Sequence, residues 1–306
     1  MFLSVASAVC LGIYDIAKKL SVRDNAVPIV LWISVSVGCC VWAITLCVQT
    51  LLAPSVTAAC FPSWMLVEPI SWRIHVALFA KSALVGCSWT LAFFSLKHLP
   101  LSIAAPVRST SPLWTLLLAV TFLDERPDVQ QSFGIAIVLI SFWLLSVQGA
   151  KEGIRFRSNR WIGLMVAATI LGSLSGIYDK ILLQTLCVPP ATVQAWFSIY
   201  LLPVMTPLAW IWLRRNRRVD SQRTTPNGFD FRWSILMISP LLLVTDMLYF
   251  VALSNPDALV SVVSSLRRCS VVVAMVLGKR LKGEVNVRRK LLCVAGLLLG
   301  VVLLLF

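Results

Sequence analysis

The sequence predicts an all-α membrane protein with ten transmembrane helices, arranged as two inverted five-helix repeats. Of its 306 residues 58% are hydrophobic and only 13% are charged, and the mean hydropathy is +0.87, whereas a soluble domain carries about 25% charged residues. A membrane-crossing helix takes about 20 apolar residues, so ten crossings use roughly 200 residues and leave short connections. Alternating ten-residue segments typical of a transmembrane barrel are absent, which leaves helices as the spanning structure.

Ten apolar runs bounded by charged residues, Pro or Gly are the predicted spans. In the first half they cover 2–20, 27–52, 72–97, 101–122 and 128–148. In the second half they cover 160–184, 190–213, 233–254, 257–281 and 286–306. The first run has no basic region before it and no small-residue cleavage pattern, so we expect an uncleaved span rather than a signal peptide.

Two features of the first half recur in the second half in the same order. The motif Gly-Ile-Tyr-Asp occupies residues 12–15 and returns at 176–179, which is 164 residues further on. An Arg precedes a Glu by 17 residues in both halves, over Arg108–Glu125 and Arg267–Glu284. Such echoes indicate two copies of one structural unit.

The two predicted units are a first five-helix repeat, 1–150, and a second five-helix repeat, 151–306. Because each unit has an odd number of helices, the copies must enter the membrane in opposite orientations. Inverted repeats of this kind are typical of secondary transporters, whose substrate site lies at the repeat interface near the midplane.

The net charge of +14, from 27 Lys and Arg against 13 Asp and Glu, reports mainly on orientation. The odd-numbered connections carry twenty basic residues, among which Lys18, Lys19 and Lys290 are counted, whereas the even-numbered ones carry only Arg73 and Arg126. Cytoplasmic loops are enriched in Lys and Arg, so we expect the odd connections in the cytoplasm and both termini outside. The Arg-rich segment 214–223 alone would suit anionic lipid or nucleic acid, but the other odd connections share its bias, and we expect no nucleic-acid partner.

Apart from the charges that are counted with the connections or stand at span ends, eight charged residues are assigned to span interiors, where charged groups are costly and are functional candidates. The basic ones are Lys81, Arg108, Lys180, Arg267 and Arg268, and the acidic ones are Asp15, Asp179 and Asp246. The excess of cations favours an anion-binding cavity, because the fork of an Arg matches a carboxylate or a phosphate. The predicted substrate-binding residues are Lys81, Arg108, Tyr249, Arg267 and Arg268.

Structural ion pairing is the alternative interpretation of these charges. It would join Asp15 to Lys18 or Lys19, Asp179 to Arg108, and Asp246 to Arg267 or Arg268.

The repeated Tyr-Asp pairs lie near the ends of helices that we expect to be inverted, and therefore near opposite membrane faces. The residues assigned to gating or coupling are Tyr14, Asp15, Tyr178, Asp179, Lys180 and Asp246. We expect each repeated Asp to pair with a cation of the other half when its side is closed. Duplicated packing, in which Gly12 and Gly176 allow close helix approach, is the competing interpretation.

The ten spans in two repeats, together with the fourth-span run 102–125, resemble the EamA-type branch of the drug/metabolite transporter superfamily. That run ends in Phe-Leu-Asp-Glu-Arg at 122–126. The counterpart Lys-Gly-Glu at 282–284 keeps the branch's recurrent Gly-Glu turn, in which Asp124 replaces the Gly of the first copy. The resemblance covers nearly the whole chain.

The resemblance implies a central cavity lined by the first four helices of each repeat. It also implies an anion site, since basic residues on the fourth and ninth helices hold phosphate in the related plastid phosphate translocators, and Arg108, Arg267 and Arg268 fall on those helices. Members of this branch usually keep both termini in the cytoplasm, which is opposite to the orientation that the loop charges predict.

The expected function is a secondary transporter that moves a small anionic metabolite, phosphorylated or carboxylate, by alternating access across a bacterial inner membrane. Its expected partners are the lipid bilayer and the metabolite, and a proton or counter-substrate and a homodimer are left open. The alternatives are a proton-coupled exporter of neutral amino acids or drug-like compounds, and a scaffold or channel without turnover.

No catalytic or cofactor site is expected. The two His residues, His75 and His98, stand near span ends without metal-ligand spacing. The nine Cys lie mostly in apolar runs and are interpreted as small buried hydrophobic residues. No phosphate-binding loop of the Gly-x-x-x-x-Gly-Lys type is present, so we expect neither an enzyme nor direct drive by ATP.

Overall fold

A computed structural model of the chain describes residues 2–52, 62, 65–111, 113–114, 117–118, 129–151, 159–217, 228–254, 267, 270–278 and 287–303. Within these residues the fold is all-α, with ten helices and no strand. The predicted fold class is confirmed to that extent.

Each helix of the first half coincides with a predicted span. These helices are α1 (Phe2–Val22), α2 (Val27–Leu51), α3 (Trp72–His98), α4 (Leu101–Ser109) and α5 (Val129–Lys151). The rest of the fourth predicted span is only partly described, and the 122–126 motif lies outside the described residues.

The second half repeats this order. Its helices are α6 (Arg160–Lys180), α7 (Pro190–Arg217), α8 (Trp233–Leu253), α9 (Ser270–Gly278) and α10 (Val287–Leu303). A π-helical turn over Ile181–Thr185 extends α6, which the sequence pattern did not predict. Most of the run 257–269 and the 282–284 motif lie outside the described residues.

Local sequence signals set several of the helix ends. Asp24 adopts a left-handed conformation, with φ of 52°, in the turn that separates α1 from α2. Leu99, which follows the last residue of α3, has an extended backbone, because the ring of Pro100 disfavours a helical conformation of the residue before it. Asn159 caps α6 by accepting a hydrogen bond from the Trp161 amide at 3.0 Å.

Five described helices are long and apolar enough to cross a bilayer by length and composition, namely α2, α3, α6 with its π-helical turn, α7 and α8. Helix α1 also has 21 residues, but it carries the charges of Asp15, Lys18 and Lys19 and is not one of these five. The chain is therefore a multi-pass membrane protein.

Several cysteines face away from the protein interior. Cys40, Cys47 and Cys87 are exposed on α2 and α3, so their interpretation as buried residues is wrong. A thiol behaves as a small hydrophobic group, and this property suits a lipid-facing surface as well as a core.

The five helices of the first half and the five of the second half make equivalent contacts when they are matched in chain order. Helix α1 packs against α8 and α9 as α6 packs against α3 and α4, and α3 packs against α7 as α8 packs against α2. When α1–α5 are matched with α6–α10 in chain order, three contacts join a helix to its own counterpart, namely α2 with α7, α4 with α9 and α5 with α10. The main contacts are thus unchanged when the two halves are interchanged.

One end of the bundle gathers described residues in or beside the first, third, fifth and seventh connections. The Arg232 guanidinium donates hydrogen bonds to the carbonyls of Leu20 and Arg23, at 2.8 Å and 2.7 Å. The His98 ring stacks on Trp161 with 3.7 Å between centroids. We call this end, marked by Arg23, His98 and Arg232, the basic end.

Described residues in or beside the second, sixth and eighth connections meet at the opposite end. The Glu68 amide, ahead of α3, donates to Thr192 Oγ1 at the start of α7, at 2.9 Å. Gln184, in the π-helical turn, donates to the Leu253 carbonyl at the end of α8, at 3.1 Å. Successive helices therefore run alternately toward one end and the other.

Candidate functional site

The first of three intramembrane charge clusters surrounds Asp15 on α1. Its carboxylate lies 2.5 Å from Lys18 Nζ, one turn along the same helix, and accepts a hydrogen bond from Arg108 of α4 at 3.1 Å. The Lys18 ammonium lies 4.1 Å from the ring centroid of Tyr14, which is fully buried against it. A small cavity beside this cluster is lined by Asp15, Lys18, Arg108 and Met165.

The second cluster joins the two halves of the chain. Lys81 of α3 forms an ion pair with Asp179 of α6, and both side chains are buried. The Lys81 ammonium lies between two rings, 4.8 Å from the centroid of Phe197 and 4.6 Å from that of Phe250. Aromatic faces attract a cation, so Lys81 is held from three sides.

The third cluster is formed by Arg267, with Asp246 and Tyr249 of α8. Arg267 donates to an Asp246 carboxylate oxygen at 2.7 Å, and its guanidinium lies 4.2 Å from the Tyr249 ring centroid. The Nε of Arg267 is buried and has no hydrogen-bond partner among the described residues. One donor of this guanidinium is thus available to a ligand.

The three clusters act on one another electrostatically. The charges of Asp15, Arg108, Asp246 and Arg267 all influence Tyr14. Asp179 interacts with Asp246 and Arg267 as well as with Lys81. The three clusters are therefore near enough for their charges to act on one another.

A second, larger cavity opens beside these clusters, between α2, α3, α7 and α8. Its volume is about 20 Å³, which holds little more than one water molecule. The polar lining residues are Ser34, Gln194, Ser198, Ser239 and Asp246, and Trp89 and Phe197 form part of the apolar wall. A metabolite enters this cavity only if the helices move apart.

The remaining predicted site residues lie in different environments. Tyr178 donates from its hydroxyl to the Ala77 carbonyl of α3, at 3.1 Å, and so fastens α6 beside the Lys81 pair. Lys180 is exposed at the end of α6, and it forms no ion pair with any described residue. Arg268 lies outside the described residues.

The ion pairs agree only partly with those expected from sequence. Asp15 pairs with Lys18, and Asp246 pairs with Arg267, as structural pairing predicts. The predicted pairing of Asp179 with Arg108 is wrong, because Lys81 occupies that place and Arg108 binds Asp15.

Three lysines assigned to cytoplasmic connections lie buried within helices instead. Lys18 belongs to the Asp15 cluster, and Lys19 donates to the carbonyls of Leu96 and Leu99 at the end of α3, at 2.7 Å and 2.6 Å. Lys290 of α10 is completely buried and donates to Ser102 Oγ at 2.9 Å.

Sequence reasoning missed these lysines because each stands near a helix end, where a basic residue ordinarily reaches solvent. Carbonyls at the end of α3 lack intrahelical donors, and Lys19 supplies one. The partner helices are remote in sequence, and no local signal identifies them.

No metal site is found among the described residues, where no group of three His, Cys, Asp or Glu side chains could hold an ion. The ionisable clusters instead combine cations, carboxylates and aromatic rings. Such a region suits the binding and release of a charged molecule.

Comparison with known proteins finds a family to which the first half of the chain is similar. Residues 1–147 match the EamA-like transporter family. One similar solved structure is described only as the crystal structure of a protein. The alignment covers 99% of this chain and 95% of that chain, with a TM-score of 0.60 and 13% sequence identity. At this identity the likeness concerns the fold alone. Among curated proteins there is no match.

Proposed function

We propose that this chain, whose residues 1–147 match the EamA-like transporter family, is a secondary transporter that moves a small anionic metabolite by alternating access. The family match supports membrane transport. The anionic substrate and the mechanism are our proposals, and they depend on the charge clusters.

The proposal depends mainly on the geometry of Arg108 and Arg267, which occupy equivalent places in the two halves. Each is paired with an aspartate, Asp15 or Asp246, at hydrogen-bond distance. The side chain of Arg108 is 31% exposed and that of Arg267 is 15% exposed, so both guanidinium groups are only partly enclosed. An incoming carboxylate or phosphate replaces the aspartate on a guanidinium without leaving that cation unpaired.

The charge balance favours the same substrate class. The described members of the clusters comprise four cations, Lys18, Lys81, Arg108 and Arg267, and three carboxylates, Asp15, Asp179 and Asp246. A bound anion offsets the excess positive charge. This offset matters in a membrane interior, where an uncompensated charge is costly.

Alternating access would use the two ends of the bundle. Asp15 lies seven residues before the end of α1, near the basic end, and Asp179 lies at the last turn of α6, near the opposite end. Opening at one end would separate Lys81 from Asp179, and opening at the other would separate Asp15 from Arg108. The exchangeable contacts of the two halves support an inverted repeat, in which the two openings are equivalent movements.

The proposed orientation places the basic end in the cytoplasm. Arg23, Arg160, Arg214, Arg215 and Arg232 lie in or next to connections at this end, and basic loops are retained on the cytoplasmic side. Both termini then face outward, and we propose a bacterial inner membrane as the location.

Uptake into proteoliposomes tests the proposal. We expect uptake of at least one member of a panel of sugar phosphates, inorganic phosphate and small carboxylates to saturate and to show counterflow. Arg108→Gln and Arg267→Gln should each lower that uptake at least tenfold, since a charge-assisted hydrogen bond contributes about 1.5–3 kcal/mol. Arg215→Gln, at an exposed position at the basic end, is the matched control and should retain uptake.

Two results would contradict the proposal. Wild-type uptake by both Arg variants would exclude the anion site, and leakage without saturation or counterflow would indicate a channel rather than a transporter.

A proton-coupled exporter of neutral amino acids or drug-like compounds is the second candidate. The larger cavity favours this candidate, because its described lining residues include no basic side chain. Efflux of neutral amino acids that collapses with the proton gradient, and that depends on Asp15 or Asp179 rather than on the arginines, would support this candidate.

A further inference from the structure

A buried amide on α7 lies in the wall of the larger cavity. Gln194 is only 2% exposed, and its Nε2 donates to the Leu243 carbonyl of α8 at 2.7 Å. Its Oε1 is buried and has no hydrogen-bond partner within the described part of the chain. The two ends of one side chain thus differ, with the donor bound and the acceptor free for a ligand.

The Leu243 carbonyl fixes the orientation of this amide. If the nitrogen and oxygen of Gln194 were interchanged, two acceptor oxygens would face each other at 2.7 Å. The acceptor therefore points away from Leu243, and the cavity is the space that this side chain lines.

A buried acceptor without a partner is costly and is rare in folded proteins. It persists at a site where a ligand or a water molecule supplies the missing donor. The cavity has room for about one water molecule in this closed arrangement, and a ligand group would replace that water when the helices part.

Two other polar groups of the wall, on Ser34 and Asp246, are also acceptors. The Ser34 hydroxyl donates to the Leu31 carbonyl at 2.9 Å, so only its lone pairs remain for a ligand. The Asp246 carboxylate lines the same cavity, and its partner Arg267 provides the nearby positive charge.

We infer that Gln194 is a specificity-determining residue, whose Oε1 binds a hydroxyl or ammonium group of the transported molecule while Arg267 binds its negative group. This inference rests on the proposed function for the anionic part of the substrate. It adds that the substrate carries a hydrogen-bond donor a short distance from its charge. Anions without such a donor leave Gln194 unsatisfied and bind weakly.

Matched pairs of anions test the inference in binding measurements on the purified full-length protein. Glycerol 3-phosphate is compared with propyl phosphate, and glycerate and β-alanine are compared with propionate. Each Kd comes from the ligand-dependent rise in melting temperature. In at least one pair, wild-type protein should bind the donor-bearing member about tenfold or more tightly than its donor-free analogue, because the analogue leaves a buried acceptor unpaired.

Two variants test whether the Oε1 acceptor of Gln194 causes that preference. Gln194→Met removes the oxygen and should bring the ratio of the two Kd values close to one, with little change in binding of the donor-free member. Gln194→Glu retains an acceptor and should keep the preference, since its extra charge affects both anions of a pair alike. Binding of the donor-free member reports that each variant is folded.

Equal binding of both members of every pair by wild-type protein would overturn the inference and leave the proposed function intact. An unchanged preference in Gln194→Met would do the same. Failure of wild-type protein to bind any anion of the panel would overturn the proposed function together with the inference. The wild-type ratio remains decisive if Gln194→Met does not fold.

Discussion

At the scale of single residues, the Lys81–Asp179 pair has the most direct consequences. It joins α3 of the first half to α6 of the second, and two phenylalanine rings enclose the ammonium. Removal of one partner leaves a buried charge uncompensated, whereas removal of both leaves an apolar contact. Stability and gating can therefore be separated by comparing single and double variants.

We predict that Asp179→Asn destabilises the protein by about 3–5 kcal/mol, the usual cost of breaking a buried pair. The double variant Lys81→Met/Asp179→Leu should recover most of this loss. Thermal unfolding of the purified protein measures both. Asp24→Asn is the control, because Asp24 is exposed and pairs only loosely with Arg23, at 3.6 Å, and it should unfold like the wild type.

The gating hypothesis adds a prediction for transport by the same variants. The double variant should be stable yet deficient in counterflow, because the opposite end no longer closes by this ion pair. Wild-type transport rates in both Asp15→Asn and Asp179→Asn would end the gating hypothesis and leave the pairs a structural role.

At the scale of helices, the repeated Gly-Ile-Tyr-Asp motif has different packing in its two copies. A Cβ added to Gly12 would lie 2.6 Å from the Val273 side chain of α9 and 3.1 Å from the Ser270 carbonyl. A Cβ added to Gly176 would meet no described atom within 4 Å. Close helix approach therefore explains the first glycine and does not explain the second.

Alanine substitution at the two glycines is a matched experiment. Gly12→Ala should destabilise the protein by about 1–3 kcal/mol, because the added methyl overpacks the α1–α9 contact. Gly176→Ala should be neutral or stabilising by up to about 1 kcal/mol, since alanine favours a helix over glycine. Melting temperatures check both, and Gly12→Ala combined with Val273→Ala should restore stability. Equal effects at the two positions would refute this assignment.

At the scale of the whole molecule, the two ends of the bundle differ in charge. Among the described residues, the basic end carries Arg23, Arg160 and Arg232, whereas the opposite end carries Glu68, Gln184 and Cys187. Interchange of the two halves preserves the main helix contacts. The difference in charge between the two ends can therefore set the orientation of the protein in the membrane without a change of fold.

Native Cys187 provides a direct test of that orientation. It is exposed in the connection between α6 and α7, at the opposite end, so a membrane-impermeant maleimide should label it on intact cells. Because Cys60 also belongs to an even-numbered connection, the labelling is done in a Cys60→Ser background, where Cys187→Ser should abolish the label. A reporter that is active only in the cytoplasm should be inactive when it is fused to the C-terminus. Labelling only after cell lysis, or cytoplasmic fluorescence of the fused reporter, would show that the basic end faces outward.

Composition and periodicity suffice for much of this architecture, because insertion into a bilayer depends on local hydropathy and chain length. The apolar runs locate eight of the ten helices within a few residues, and the fourth and ninth predicted spans are only partly described. The repeated motif and the Arg-Glu spacing predict two five-helix repeats, which stay a prediction. The resemblance to the transporter superfamily is confirmed for residues 1–147. Asp15, Asp179, Asp246 and Arg267 are recognisable as candidates because a charge inside an apolar run is conspicuous.

Which of these charged residues form ion pairs depends on the tertiary structure alone. Lys81 and Asp179 are 98 residues apart in the sequence, and their pairing depends on how α3 and α6 are rotated against each other. The same packing buries Lys19 and Lys290, which the sequence assigns to connections, and exposes Lys180, which it assigns to the site. It also leaves the Gln194 acceptor free in a cavity wall, a property that no local pattern records because hydrogen-bond satisfaction depends on helices remote in the chain.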